Sequence, residues 1–349
     1  MKTLILALLL AQPLAAQLRP VHTFSVVARD PVTGQMGVAV QSHWFAVGQI
    51  VPWAEAGVGA IATQSFVDPS YGKLGLDLLR AGKAAPDTLR ALLGGDASCE
   101  VRQVGVVDAS GNVATFTGAR DIAAAGGIAS AATSSSDVTC GTAGGRLTVG
   151  RNFAVQANLM ANDTVWPAME KAYVASKGDL AERMLAALDA AQAAGGDIRG
   201  KQSAALIVVN AKSTGRAWQD RAFDVRVDDH PRPLEELRRL VTLQRAYNHM
   251  NAGDLAVEHK DHQAALREYS AAEEIAAKTP GVPSSRFAEM LYWHAVALVN
   301  MNRIDEALPV FARAFELEPS WRELTPRLAR AGLLPDTSVT RIVGAGMRK

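Results

Sequence analysis

Two hydroxyl residues, Thr23 and Ser25, stand at the head of a strand-like run and are the clearest candidates for chemistry in this chain. A threonine at the first position of a chain can use its own α-amine as the base that activates its hydroxyl for attack on a carbonyl. An internal threonine has an amide nitrogen instead, which has no basic lone pair. Thr23 therefore predicts a catalytic N-terminus if processing cuts the bond between His22 and Thr23. Ser25 is a second hydroxyl on the same side of the strand.

Polar side chains near the ends of other segments are candidates to complete a site around Thr23. Ser42 and His43 end the second strand-like run, which lies across from the first in a hairpin, so His43 is a candidate general base or substrate donor. A histidine packed between two strands is the alternative. Asn158 is a candidate oxyanion donor because side-chain amides can serve that role. An equally supported alternative is that Asn158 caps the turn before the helix at Val165.

Four positions are candidate substrate-binding residues. A hydroxyl or amide at the end of a strand is often presented to a ligand by the following loop. A lysine at a strand mouth could supply a cation to a cleft, although such a lysine is usually only solvated. The candidates are Ser42, Gln64, Ser65 and Lys201.

The elements that must position these residues mix short strands with helices. Turn residues at 30–34 and 108–112 predict antiparallel hairpins. Helices placed between sheet segments favour an α+β fold. The segment 118–150, rich in glycine, serine and alanine, is predicted to be a long surface insertion with only local order. Predicted strands are Thr23–Ala28, Met36–Gln41, Gly59–Thr63, Arg102–Val107, Val113–Thr117 and Ser203–Val209, and predicted helices are Tyr71–Ala81, Ala85–Leu93, Val165–Ala175 and Leu180–Ala194.

Residues 235–335 read as helix formers with an internal repeat. Small residues and one aromatic recur at the spacing of a tetratricopeptide (TPR) helix pair, with the two copies 42 residues apart. About three repeats are needed for an independent solenoid, so two copies need capping helices, predicted at Leu234–Tyr247 and Arg322–Ala331, or support from the first domain. An unspecific helical bundle is the alternative, and 336–349 is predicted to be a tail. The repeat positions are Gly253, Ala265, Tyr269 and Ala272, then Ala295, Ala307, Phe311, Ala314 and Pro319.

The first seventeen residues predict the location of the protein. Lys2, an apolar run from Leu4 to Leu10 and the small pair Ala15 and Ala16 are typical of a secretory signal peptide. We therefore expect a secreted or periplasmic protein, with an uncleaved anchor as the alternative. No later segment is apolar over about eighteen residues, which predicts no further membrane span.

The net charge and the absence of several motifs argue against nucleic-acid, metal and cofactor binding. A net charge of +1 gives no electrostatic footprint for nucleic acid. No zinc-ligand spacing, phosphate-binding glycine loop or GxSxG elbow occurs, so we expect no metal and no cofactor. Export permits a disulfide between Cys99 and Cys140, but their distance in sequence leaves the pairing open. The sequence also leaves open whether the chain forms a homo-oligomer.

Four blocks carry a resemblance to a known family. They are HTFSVVARDPVTGQMGVAVQSHWFAVG, VPWAEAGVGAIATQSFVDPSYG, RQVGVVDASGNVATFTG and GGDIRGKQSAALIVV. In this order they resemble the DUF1028 family, placed in the N-terminal nucleophile (Ntn) hydrolase superfamily, over about residues 22–230. The resemblance implies a four-layer αββα sandwich in which a freed threonine, serine or cysteine on the first strand attacks an amide. Family members typically begin Met-Thr-Phe-Ser, and their threonine matches Thr23. Here a signal peptide and further residues precede it.

Two functions follow from these features. The first is an exported Ntn-type amidohydrolase that cleaves a peptide or acyl-amide with Thr23 after processing. The second is a catalytically inactive Ntn-fold binding or scaffold protein whose TPR-like repeats mediate protein–protein interaction. In the first case the repeats would dock a protein partner or steer the substrate. The discriminating event is cleavage of the bond between His22 and Thr23.

Overall fold

The structure is a computed structural model that describes residues 23–140 and 142–347. The expected signal peptide at 1–17 and His22 lie outside the described residues. The strands are β1 Thr23–Arg29, β2 Met36–Ser42, β3 Pro52–Glu55, β4 Gly59–Ser65, β5 Arg102–Asp108, β6 Asn112–Gly118, β7 Gly126–Ala129, β8 Ser134–Val138, β9 Gly145–Arg151, β10 Phe153–Ala157, β11 Ser203–Val209 and β12 Arg221–Val227. The helices are α1 Ser70–Arg80, α2 Ala85–Gly94, α3 Val165–Ala175, α4 Leu180–Ala193, α5 Pro233–Glu258, α6 His262–Lys278, α7 Ser284–Asn300, α8 Ile304–Leu317, α9 Ser320–Arg330 and α10 Asp336–Val343.

The described strands form two antiparallel six-stranded sheets. Sheet 1 has the order β12-β11-β2-β1-β10-β7, and sheet 2 has the order β3-β4-β5-β6-β9-β8. Strand β1 lies in the middle of sheet 1, where Thr23 is opposite Ser42 of β2. On its other side Phe24 is opposite Ala157 of β10. The first residue of β1 is therefore flanked by strands rather than left on a sheet edge.

Alternation of side chains along each strand explains the layers. On sheet 1, Val27 and Val38 point toward sheet 2 and share a core with Ala62. The opposite face of sheet 1, including Val26, packs against α3 and α4. The outer face of sheet 2, including Val106, packs against α1 and α2. The layers therefore run helix pair, sheet, sheet, helix pair, which confirms the predicted α+β class.

The prediction for segment 118–150 is wrong. This segment contributes β7 to sheet 1 and β8 and β9 to sheet 2. Its serine-rich strand β8 is exposed, so it shows no apolar alternation, and its backbone ladder to β9 holds it in place. Strand β9 in turn buries Leu147 in the core beneath α2. Strands that are held mainly by backbone pairing need no apolar alternation of side chains. The sequence pattern therefore did not predict these strands.

A disulfide joins Cys99 and Cys140, whose Cα atoms are 5.8 Å apart. Cys99 is buried just before β5, and Cys140 lies between β8 and β9. The bond thus connects the exposed β8–β9 hairpin to the interior of sheet 2, and it answers the question that the sequence left open.

The C-terminal region is helical and begins on the sandwich itself. The first half of α5 packs Leu237 and Val241 against sheet 1. Its second half pairs with α6, where Gly253 lies against the Tyr269 ring and a Cβ would come within 2.7 Å of it. Helices α7 and α8 form the next pair around Phe311. The expected C-terminal tail includes helix α10. Among the described helices, none combines the length and apolar character that a membrane crossing needs.

Candidate functional site

Hydroxyl and amide side chains interrupt the apolar core between the two sheets. They come from β1, β2 and β10 of sheet 1, or the residue just beyond, and from β4, β5 and β6 of sheet 2, and all are buried. We call them the inter-sheet polar cluster. Its members are Thr23, Ser25, Ser42, Gln64, Gln103, Thr115, Gln156 and Asn158.

Thr23 occupies one end of this cluster. Its hydroxyl Oγ1 donates to Ser42 Oγ at 3.3 Å. Its backbone carbonyl accepts from Gln64 Nε2 at 3.0 Å and from the Asn158 backbone N–H at 3.1 Å. The Asn158 side-chain Nδ2 lies 3.5 Å from the same oxygen. Donors from both sheets therefore fix the backbone of the first described residue.

Gln103 of β5 connects the donors to one another. Its Oε1 accepts from Gln64 Nε2 at 2.7 Å and from Asn158 Nδ2 at 2.9 Å. Its Nε2 donates to the Ala157 carbonyl at 2.9 Å and to Thr117 Oγ1 at 3.0 Å. One buried amide thus orients the two side chains that lie against the Thr23 carbonyl. Sequence reasoning missed Gln103, although a glutamine inside an apolar strand is a signal that could have found it.

Ser25 extends the cluster deeper between the sheets. Its Oγ donates to Gln64 Oε1 at 2.6 Å. Next to it Gln156 accepts from Thr115 Oγ1 at 3.0 Å and donates to the Ala62 carbonyl at 3.3 Å. Gln156 was also missed by sequence reasoning. Ser25 is therefore in contact with the same glutamine as Thr23, as a member of the cluster rather than a separate site.

The structure places His43 beside the cluster rather than inside it. Its backbone N–H donates to Asp197 Oδ2 at 3.1 Å, and Asp197 is fully buried and paired with Arg199 at 2.7 Å. Within the described chain the imidazole makes no hydrogen bond to Thr23 or Ser42, and its Nδ1 is buried without a partner. The role of His43 as a base stays a prediction.

Two predicted substrate-binding residues lie away from Thr23. Lys201 is exposed and lines a cavity of about 270 Å³ between the end of α4 and the start of α5. Ser65 follows Gln64 on β4 and faces the other side of sheet 2, where its Oγ donates to Asp121 Oδ1 at 2.7 Å. The structure thus brings Thr23, Ser25, Ser42, Gln64 and Asn158 together and separates Lys201 and Ser65 from them.

Asp121 is a buried carboxyl that sequence reasoning also missed. Burial raises its pKa to about 7, against the lowering effects of the Ser65 hydrogen bond, the Gly118 backbone and the Arg102 charge. Its second oxygen, Oδ2, is buried and has no hydrogen-bond partner. The carboxyl therefore carries a proton over much of the acidic and neutral range.

The chemistry available in the cluster is that of neutral donors and acceptors. None of its members titrates near neutral pH, since all are Thr, Ser, Gln or Asn. Asn158 also has a buried side-chain Oδ1 without a partner. Across the described residues, no group of three or more His, Cys, Asp or Glu side chains is arranged to hold a metal ion. The cluster therefore offers neutral hydrogen-bond donors and acceptors and no charged side chain.

One family match covers the sandwich and the start of α5. A family model described as a family of unknown function, DUF1028, matches residues 23–237. The crystal structure of protein SPO2555 from Silicibacter pomeroyi, which carries the same family model, is 28% identical. That comparison covers 63% of this chain and 87% of that chain, with a TM-score of 0.49. No curated protein matches the chain.

Proposed function

This chain belongs to the DUF1028 family, whose function is unknown, and on that premise we propose that it is an exported Ntn-type amidohydrolase with Thr23 as nucleophile. The proposed substrate carries an uncharged amide, as a peptide or an acyl-amide does. The proposal includes the finer fold class, an αββα sandwich of the Ntn-hydrolase kind. Its support is the layer order of the two sheets and their helix pairs, together with a family match that begins at Thr23.

One observation carries the proposal: Thr23 begins the central strand β1 inside a cluster that has hydroxyl and amide groups but no titratable side chain. A threonine hydroxyl needs a base to become a nucleophile at neutral pH. The cluster offers none, and an α-amine at Thr23 would supply it. Cleavage between His22 and Thr23 would therefore create the nucleophile and its base together.

The chemical steps use the freed α-amine, water and side chains of the cluster. The free α-amine takes the proton of Thr23 Oγ1, and Oγ1 attacks the amide carbonyl carbon. A side-chain amide such as that of Asn158 donates to the developing oxyanion. The resulting ammonium gives its proton to the departing amine, the C–N bond breaks, and water then hydrolyses the acyl ester. The unpartnered Oδ1 of Asn158 is an acceptor suited to an ammonium next to Thr23.

The same proposal places the protein outside the cytoplasm. Export would follow from the signal-like residues 1–17, and a second cut would remove the short segment before Thr23. We assign to the helix pairs α5–α6 and α7–α8 the docking of a protein partner, in keeping with their TPR-like spacing.

The test is the intact mass of the exported protein together with its activity on amide substrates. We expect a chain that begins at Thr23 and hydrolyses amides. Thr23→Ala should abolish hydrolysis with the fold retained, and Thr23→Ser, which keeps a hydroxyl beside the α-amine, should retain it in part. A stable mature chain that begins before Thr23 would contradict the proposal. So would hydrolysis by Thr23→Ala at the rate of the unsubstituted protein.

One observation favours the second candidate function, a non-catalytic sandwich. Thr23 is 0% exposed, and its carbonyl is held by several donors, as in a structural core. Under that interpretation the cluster serves to fix the two sheets, and the helical repeats provide the binding surface. The same mass measurement separates the candidates, because a scaffold does not need a free α-amine.

A further inference from the structure

Residues 119–124, which we call the strap, cross from sheet 2 to sheet 1 at the end of the sandwich where Thr23 lies. The strap leaves β6 and leads to β7. On sheet 2, Ser65 of β4 donates a hydrogen bond to the carboxyl of Asp121 in the strap. On sheet 1 the Leu159 and Met160 amides donate to the carbonyls of Ile122 and Ala124 at 2.8 and 3.0 Å. The strap therefore contacts one strand end in each sheet.

Both strand ends have an unusual backbone at the residue that meets the strap. Ser65 has a φ of 70° and Leu159 a φ of 55°. Left-handed backbone is costly for residues with a Cβ and persists only when the surroundings over-determine it. At Ser65 the Asp121 carboxyl supplies that restraint, and at Leu159 the Ile122 carbonyl does.

The two restrained residues directly follow the two residues whose amide side chains lie against the Thr23 carbonyl. Gln64 precedes Ser65, and Asn158 precedes Leu159. A change in either strand-end conformation would redirect the neighbouring side chain because the two share a peptide unit. Gln64 and Asn158 come from opposite sheets and meet at the Thr23 carbonyl and at Gln103. Their convergence depends on both strand ends at once.

We propose that Asp121 is a positioning residue: through Ser65 and the strap it fixes both strand ends and so sets Gln64 and Asn158 on Thr23. Its catalytic consequence rests on the proposed function, whereas the coupling between the two sheets does not.

The electrostatic surroundings of Asp121 give the coupling a pH dependence. The Ser65 hydroxyl donates to Oδ1, while Oδ2 is buried without a donor. The charged group that faces it from β5 is Arg102, whose guanidinium is occupied by Asp96 and the Phe66 carbonyl. On the strap itself the Arg120 side chain is turned to Glu100. Ionisation of Asp121 therefore lacks a dedicated counter-ion, and the cost of burying the charge exceeds the gain from a stronger Ser65 hydrogen bond, so the buried position of the carboxyl is weakened.

The experiment is residue-resolved amide hydrogen exchange of the full chain, corrected for the intrinsic pH dependence of exchange. Asp121→Ala should lower the protection of the Leu159 and Met160 amides, on the other sheet, by tenfold or more. Ser65→Ala should have the same effect because it removes the other half of the bond. Asp121→Asn keeps an acceptor and should retain protection. The matched control is Asp137→Ala, an exposed carboxylate on β8, which should change nothing at these amides.

A second readout follows pH. Protection at Leu159 in the unsubstituted chain should fall as the pH rises from about 4 to about 7 and then level off, and Asp121→Asn should abolish that fall. The inference is overturned if Asp121→Ala or Ser65→Ala leaves Leu159 unchanged, or if the pH profile of Asp121→Asn equals that of the unsubstituted chain. Should Asp121→Ala fail to fold, Ser65→Ala and the pH series decide.

These readouts do not require catalysis. A Thr23→Ala chain keeps the backbone carbonyl that Gln64 and Asn158 bind, so the coupling can be measured in it in the same way. Loss of amidase activity with intact coupling would count against the proposed function alone. Loss of coupling with a processed, active Thr23 would count against the role of Asp121 alone.

Discussion

At the scale of single residues, Gln103 connects several members of the inter-sheet polar cluster to one another. It accepts from Gln64 and Asn158 and donates to Ala157 and Thr117. A buried polar group that loses its partner costs about 1–3 kcal/mol, more than the net gain of the average hydrogen bond. The arrangement around Thr23 is therefore sensitive to this one side chain, although it does not contact Thr23 itself.

Substitution Gln103→Leu keeps the approximate size and removes both polar ends. We expect a loss of about 2–4 kcal/mol in the free energy of unfolding, because several buried groups are left unpaired at once. Urea denaturation followed by circular dichroism measures it. The control is Gln219→Leu at an exposed position, for which we expect a change within about 0.5 kcal/mol. Equal effects of the two substitutions would show that the Gln103 bonds contribute nothing.

Asp121 makes the stability of the fold depend on pH. Its folded pKa is about 7, and an unfolded aspartate titrates near about 3.9. Between these values the folded state binds more protons than the unfolded state, so stability falls as the pH rises from about 4 to about 7 and then levels off. We expect Asp121→Asn to flatten this part of the profile, by an amount on the order of a few kcal/mol. Denaturation midpoints of both proteins across this range check it, and parallel profiles would contradict it.

Residue-level reasoning from sequence named several members of the cluster and missed its connections. Thr23, Ser25, Ser42, Gln64 and Asn158 were all predicted as site residues, and the structure brings them together. Each lies at or near a strand end, where polar residues stand out against apolar neighbours. The partners between the sheets were not foreseen because contacts between sheets depend on how the sheets stack, which a strand pattern does not encode.

At the scale of elements, the packing of α1 on β3 shows why a helix position can require glycine. Gly72 of α1 lies flat against the Trp53 ring, and a Cβ there would overlap it. The Trp53 ring is also held by its Nε1–H, which donates to the Ile50 carbonyl at 3.0 Å. The ring therefore cannot withdraw without losing that bond.

Gly72→Ala tests this contact against a matched glycine. Overpacking costs about 1–3 kcal/mol, which exceeds the gain of up to about 1 kcal/mol that alanine brings to a helix. We expect a net destabilisation in thermal unfolding. Gly94→Ala at the end of α2 adds a Cβ that meets nothing within 4 Å, so it should be neutral or slightly stabilising. If the Gly72→Ala protein were as stable as the Gly94→Ala protein, the Trp53 ring would be able to move away from the added Cβ at no cost in stability.

The elements themselves were the most predictable level of the structure. The predicted helix Val165–Ala175 and strand Ser203–Val209 have the observed bounds, and the other predicted strands and the helices of the sandwich differ by no more than two residues at either end. Apolar periodicity specifies such buried elements directly. The prediction missed β7, β8 and β9, where small or exposed residues are held by backbone pairing and by the Cys99–Cys140 disulfide. It also missed β3, β10 and β12.

At the scale of the whole molecule, α5 joins the sandwich to the helical region. Its first half buries Leu237 and Val241 in the core on sheet 1. Arg238 on the same half reaches Glu182 and Asp189 of α4 at 2.6 and 2.5 Å. The second half of the helix pairs with α6. The helical region is thus built onto the sandwich through a continuous helix rather than through a linker.

Leu237→Ala tests whether this helix couples the two parts. Leu237 is 0% exposed, so the substitution should cost about 2–5 kcal/mol. Because α5 belongs to both parts, we expect the unfolding midpoints of the sheets and of the helices α6–α8 to fall together, as measured by circular dichroism and hydrogen exchange. Leu255→Ala, on the same helix but 52% exposed, should change the free energy of unfolding of either part by no more than about 0.5 kcal/mol. If Leu237→Ala lowered the sheet midpoint while α6–α8 kept theirs, the helical region would be an independent unit that only shares a helix with the sandwich.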